Sequence, residues 1–156
     1  MTVRRLEPDD WELWRDVRLR SLAEAPDAFG STLEREQGFA EDDWRLRLES
    51  PAVVVELDGR AVACGAAFSP APGRAMVVAM WVEPSHRGRG LSRAVLDPLV
   101  AWARDQGLTV ELGVAPGNTA ARSAYLSYGF TPTGRTHPLR EGSACVCDVL
   151  ELSPEA

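Results

Sequence analysis

Apolar positions change their spacing several times along this chain, and each change predicts an element. Trp11, Trp14, Val17, Leu19 and Leu22 recur at two- to three-residue steps over three turns of a helix. They predict an amphipathic helix capped by Asp9 or Asp10. It should end near Ala25-Pro26, because the residue before a proline resists the helical conformation. Ahead of it TVRRLEP (2–8) reads as a short strand. DAFGSTLEREQGF (27–39) reads as a loop-rich connector and EDDWRLRLES (41–50) as a second, short helix. AVVVEL (52–57), the pair Asp58-Gly59 and RAVACGAAF (60–68) predict two strands joined by a tight hairpin turn. Pro70-Ala71-Pro72-Gly73 then turns the chain into a further strand, RAMVVAMWVEP (74–84). Leu91, Val95, Leu99 and Trp102 mark a helix from about Leu91 to Gln106, kinked at Pro98 and stopped at Gly107. A strand over 108–115, a helix from Asn118 to Tyr128, a weak strand over 131–136 and a last strand over 144–152 complete the pattern. Strands and helices alternate without repeats or low-complexity tracts, which predicts one mixed α and β domain over residues 1–156.

Composition narrows what such a domain can do. The chain has 156 residues, enough to bury a core, and its formal net charge of -6 argues against a broad polyanion-binding surface. A nucleic-acid partner is therefore not expected. Cys64, Cys145 and Cys147 are an odd number, too few for a disulfide framework, and Cys145-Val-Cys147 has strand periodicity rather than a metal-binding spacing. Reduced cysteines packed in strands, and no metal, are the expectation. Met1 leads straight into TVRRLEP with no apolar leader, and no run has the length of a membrane span. The reading is a soluble cytoplasmic protein without a membrane partner.

One local feature runs against the acidic balance. VEPSHRGRGLSRAVL (82–96) sets arginines and glycines between a predicted strand and a predicted helix. Helix N-termini leave backbone N–H groups unpaired and carry positive dipole charge, while glycines let a phosphate approach the backbone. Arg87 and Arg89 would add side-chain charge. A dinucleotide fingerprint fits poorly, because Arg93 stands where the third glycine belongs, and a Walker loop fails for lack of Gly-Lys-Ser/Thr. On local pattern alone a solvated polar turn stays open.

A second stretch, NTAARSAYLSYGF (118–130), gives the first a context. Together the two resemble the signatures of the GNAT superfamily of acyl-CoA-dependent N-acyltransferases. The phosphate-loop pattern Arg/Gln-x-x-Gly-x-Gly/Ala is met by Arg87 and Gly90, with Ser92 departing at the last position. That serine stays small and adds a hydroxyl that could donate to a pyrophosphate. Asn-x-x-Ala-x-x-x-Tyr-x-x-x-Gly-Phe is met by Asn118, Ala121, Tyr125, Gly129 and Phe130. The element order is similar to the family's from residue 2 to about 152, and APDAFGST (25–32) is similar to its substrate-side loop. The resemblance implies a GNAT-like α/β fold, a mixed and mostly antiparallel central sheet with helices on both faces. The sheet would be splayed between the strands at 75–83 and 108–115. It implies acetyl transfer from acetyl-CoA to a primary amine of a small molecule or peptide. Pyrophosphate would lie on the backbone of Arg87, Gly88, Arg89, Gly90, Leu91 and Ser92. The pantetheine arm would run beside Met80 and Val82, with a hydrogen bond from Asn118. A homodimer stays open, as do a non-catalytic acyl-CoA sensor of the same fold and an unrelated nucleotide-phosphate enzyme.

The same resemblance makes Tyr125 the general acid that protonates the departing thiolate. Its residue pattern also fits a core tyrosine on a helix face shared with Ala121 and Tyr128, and Tyr128 reads as packing. Asn118 suits a helix cap as well. Arg122 fits a solvated helix face better than a phosphate contact. The base that must deprotonate the amine is not singled out. Glu34, Glu36, Glu83 and Glu111 are all candidates, and of the two histidines, His86 and His137, the first reads as a loop residue.

Overall fold

The computed structural model describes residues 1–140 and 142–152. In chain order its elements are β1 (Thr2–Arg5), α1 (Trp11–Glu24), α2 (Leu33–Gln37), α3 (Glu41–Arg47), β2 (Ala52–Leu57), β3 (Arg60–Ala71), β4 (Arg74–Val82), α4 (Leu91–Asp105), β5 (Thr109–Val114), α5 (Thr119–Tyr128), β6 (Phe130–Pro138) and β7 (Val146–Leu152). The strands form one sheet in the order β1-β2-β3-β4-β5-β7-β6. Only β4 and β5 run parallel; every other neighbouring pair is antiparallel.

Strand alternation divides the apolar residues between two cores. Val53 and Val55 of β2 pack with Leu91, Val95, Leu99 and Val100 of α4 and with Tyr125 of α5. Ala52 and Val54 point to the opposite face, where they meet Trp14, Val17 and Leu22 of α1 and Trp44 of α3. A strand buried on both faces has no polar side to display, which is why β2 reads as an unbroken apolar run. The expected mixed sheet with helices on both faces is the fold observed.

Several boundaries differ from the sequence reading, each for a local reason. β1 stops at Arg5, short of residue 8, because Pro8-Asp9-Asp10 forms a 3-10 turn closed by a bond from the Glu7 N–H to Asp10 Oδ2 (2.8 Å). The connector over 27–39 contains a helix, α2, whose N-terminus is capped by Thr32 Oγ1 accepting from the Arg35 N–H (3.3 Å). α3 ends at Arg47, and β7 begins at Val146. β6 is longer than expected, with an irregularity between Pro132 and Thr136 that weakens its period-two pattern. The Asp58-Gly59 turn is as read, both residues having positive φ (52° and 77°). α4 runs unbroken through Pro98, which leaves the Ala94 carbonyl without its usual partner.

Candidate active site

β4 and β5 pair only over Arg74–Val77 against Thr109–Leu112. Beyond Val77 the strands part, and the predicted opening between 75–83 and 108–115 is present. Its cause lies on the other side of β4. Between the pairs Cys64↔Trp81 and Ala66↔Val78, β4 spends three steps where β3 spends two. The extra residue is a bulge, which bends the strand away. Ala79 sits there at φ 60°, a conformation that disfavours a side chain, and the buried Cys64 thiol donates to its carbonyl (Sγ to O 3.3 Å). Burial pushes the Cys64 thiol up to about 12, so it keeps the proton it donates.

The Glu83 N–H bonds the Val62 carbonyl of β3 (2.8 Å), so strand alternation turns the backbone of Met80 and Val82 toward the gap. Val82 is only partly available there, because its carbonyl accepts from Arg87 Nε (3.0 Å). The Arg87 guanidinium also pairs with Glu24 at the end of α1. Its side chain thus fastens the turn to α1 instead of adding free charge to it. Gly88 and Gly90 both have positive φ (79° and 76°), and a Cβ on either would meet nothing within 4 Å. Gly90 is the N-cap of α4, and its carbonyl takes the first helical bond, from the Ala94 N–H (3.2 Å). The N–H groups of Leu91, Ser92 and Arg93 therefore lack intrahelical acceptors, at the end of the turn that follows β4. These features fit a pyrophosphate: glycine space, aligned donors and a helix N-terminus.

A cleft of about 630 Å³ fills the gap and passes through the sheet. Tyr125, from the α4–α5 core, lines one side with Asn118 and Ala121; Phe29, from the α1–α3 core, lines the other with Gly30 and Ser31. Asn118 caps α5, its Oδ1 accepting from the Ala121 N–H (3.3 Å), while also lining the cleft. Tyr125 packs edge-on against Phe130 (centroids 6.0 Å apart), and burial pushes its phenol up to about 12. Tyr128 does not line the cleft; its hydroxyl donates to Asp97 Oδ1 (2.6 Å) and ties α5 to α4. Arg122 pairs with Asp148 (3.0 Å).

Among the described residues no Asp or Glu lines this cleft. Glu34 is exposed on α2. Glu36 is fully buried, held by both Arg18 Nε and Nη2 (3.0 Å each) and by Arg47 (3.3 Å). Burial is the largest influence on its carboxyl and would raise the pKa, but the Arg18 and Arg47 contacts outweigh it and the net shift is downward. Glu83 is taken by Arg60 (2.7 Å), Arg20 (3.5 Å) and His86 (3.3 Å). Glu111, also lowered despite burial, lies between Arg74 and Arg135 (2.5 Å each) and cross-links β4, β5 and β6. The imidazole that does line the cleft is His137, on β6. Sequence reasoning passed over it because β6 was only weakly legible. A signal was present in Gly113, a glycine inside a strand, over which the imidazole lies: a Cβ there would come 2.5 Å from His137 Nε2.

Residues 11–130 match the family model described as Acetyltransferase (GNAT) family, and the chain belongs to that family. It is 33% identical over 137 residues, 83% of this chain and 46% of the relative, to the mycothiol acetyltransferase of Thermobispora bispora. The chain spans less than half the length of the curated relatives it matches. In three dimensions it resembles yncA of Salmonella typhimurium, solved with its cofactor acetyl-CoA (TM-score 0.79, 20% identity, 100% of this chain and 95% of that one). It also resembles the PaiA N-acetyltransferase of Thermoplasma acidophilum in complex with coenzyme A (TM-score 0.73, 14% identity, 97% and 98%). Among the described residues no helix is long and apolar enough to cross a membrane.

Proposed function

We propose that the protein transfers an acetyl group from acetyl-CoA to a primary amine of a small molecule or peptide. The observation that carries this reading is the parting of β4 from β5 beside the glycine turn of α4. It supplies unpaired strand groups of β4 facing a cleft, followed in the chain by a helix end suited to an anion. In this reading the backbone N–H groups from Gly88 to Ser92, with Arg89 at the rim, take the pyrophosphate. Arg87 holds the turn in place. Met80, the Val82 N–H and the Asn118 side chain receive the amide-bearing arm, and Tyr125 stands beside the sulfur. A phenol held at about 12 stays protonated at any working pH, as a donor to a departing thiolate must. The acceptor amine comes from the Phe29 side of the cleft. The three free thiols support a reducing, cytoplasmic setting.

The test is thermal unfolding with and without CoA. A ligand that binds only the folded state adds about 2.7 kcal/mol at a hundredfold excess over its dissociation constant. CoA should protect the wild type, and Gly90→Val, whose branched side chain would enter the space at φ 76°, should fold and lose that protection. Thiol release from acetyl-CoA across an amine panel then identifies the acceptor and separates an enzyme from a sensor. No protection by millimolar CoA, with protection by ATP or NAD, overturns the reading.

A further inference from the structure

We propose that His137 is the general base that takes the first proton from the acceptor ammonium, an inference that rests on the acetyl-transfer reading above. Among the described residues that line the cleft, the titratable groups are Arg18, Arg35, Tyr125, His137 and Cys147. Arginines stay protonated, and the phenol is held at about 12. Burial raises the Cys147 thiol, the neighbouring Cys145 and Asp148 adding to the shift, so it keeps its proton as well. Of the side-chain types in this set, imidazole is the one that most often serves as a general base.

The position of the ring supports the same role. His137 Nδ1 lies 2.9 Å from the Pro138 carbonyl. A carbonyl can only accept, so this contact favours the hydrogen on Nδ1, and in the neutral ring that leaves Nε2 with a lone pair. Nε2 lies over Gly113, on the sheet face shared with Cys147, one residue past the last β4–β5 pair at Leu112. That is where the strands have separated. Other charges on this face are already committed. Glu111 of β5 is held by Arg74 and Arg135, the latter from β6 itself, and Arg18 of α1 is held by Glu36. Arg35 of α2 bonds Ser31 Oγ (3.1 Å). No carboxylate among these is free to take the proton in place of the imidazole.

The proton balance closes without another reactant. Nε2 accepts one proton from the ammonium, and the freed nitrogen lone pair attacks the thioester carbonyl. A C–N bond forms, and the C–S bond breaks as the carbonyl is restored as an amide. Tyr125 protonates the leaving sulfur and recovers its proton from the second N–H of the attacking nitrogen. The imidazolium then releases its proton to solvent, so one proton is produced per amide formed.

Two measurements on the full chain test this. In ¹⁵N-detected NMR of the wild type, the neutral ring of His137 should be the Nδ1–H tautomer. With n-butylamine as acceptor, His137→Gln should lower kcat/KM by about 10²- to 10⁴-fold at neutral pH. The loss should shrink as pH rises and the amine frees itself, a pattern that a packing defect would not give. Protection by CoA should match the wild type. An Nε2–H tautomer, or a variant whose pH profile superimposes on the wild type while CoA protects both, overturns the role of His137 and leaves the acetyl-transfer reading standing. Absence of CoA protection in the wild type itself is the separate failure of that reading.

Discussion

Glu36 and Glu111 are about as buried as Tyr125 (0%, 3% and 8% exposed), yet the carboxylates and the phenol are held in opposite ways. Each carboxylate has two arginines on it, and each has its pKa lowered in spite of burial. The phenol has an aromatic ring beside it and the cleft in front, and burial alone moves its pKa, upward. Removing a charge from water is costly unless it is paired and hydrogen-bonded. A carboxylate satisfied in that way has been fixed in its charged form and has little left to offer a substrate. Paired charge here marks the frame of the gap: Glu36 joins α1, α2 and α3, and Glu111 joins β4, β5 and β6. Groups without a charged partner mark its chemistry.

The hardest test of this division is Glu36→Gln. Replacing the carboxylate leaves Arg18 and Arg47 facing an amide, and breaking a buried pair from one side costs about 3–5 kcal/mol. In a chain of this size that lowers Tm by on the order of 10 °C, readable by circular dichroism. The pH dependence carries a sign. Because the folded carboxyl lies below its ordinary 4.5, its contribution is present above that value and is lost as pH falls through the lowered one. The wild type should therefore weaken on acidification more than the variant does. A variant as stable as the wild type, or one that loses turnover without losing stability, would move Glu36 from the frame to the chemistry.

Tyr125→Phe probes the other side. It removes one hydroxyl and keeps the ring against Phe130, so CoA protection should be retained while turnover falls by about 10²- to 10⁴-fold. With the phenol at about 12, its acid form is lost only as pH rises through that value, so no descending limb from Tyr125 should appear below about pH 11. A wild-type limb near pH 9 that disappears in the variant would show that the phenol is not held up by burial. Stopped-flow thiol release over a pH series checks both statements.

The same division explains what could be read from the chain beforehand. Features set by neighbours in sequence were legible: the AVVVEL strand, the glycine turn before α4, the Asn118 cap, and the Ala121-to-Phe130 run that places Tyr125. Features set by contacts across the fold were not. Glu34, Glu36, Glu83 and Glu111 all stood open as bases, Glu83 reading as a solvated strand end, until Arg18, Arg47, Arg60, Arg74 and Arg135 came against three of them from other elements. Arg87 looked like free charge until Glu24, 63 residues away, took its guanidinium. The bulge at Ala79, on which the gap depends, has no glycine to announce it. His137 reaches the cleft from β6 across β7, which lies between β6 and β5 in the sheet, an order that the succession of elements does not reveal.

The smallest expected effect is the most specific to that arrangement. Gly113→Ala would put a Cβ 2.5 Å from His137 Nε2 and 3.0 Å from Cε1, while the nearest other atom, Cys147 Cβ, would stay at 3.5 Å. The atoms in the way are the far end of one side chain, which can swing aside, and the backbone at Gly113 needs no positive φ. Stability should therefore fall by less than about 1 kcal/mol, below the usual cost of overpacking a rigid core. The imidazole, however, would be displaced from the end of the gap, and a shift of about 1 Å in a reacting group costs up to ~10²-fold. Turnover with n-butylamine should drop by roughly tenfold within that limit, by the same factor across the pH range, because the base is still present but misplaced. His137→Gln should give a loss that shrinks as pH rises; Gly113→Ala should lower the whole profile and leave its shape. If the alanine variant matches the wild type in rate, the contact between Gly113 and His137 does not set the position of the base. If its loss shrinks with rising pH as that of His137→Gln does, the imidazole has been expelled from the cleft instead of shifted within it, and the ¹⁵N shifts of His137 would report which tautomer it then adopts.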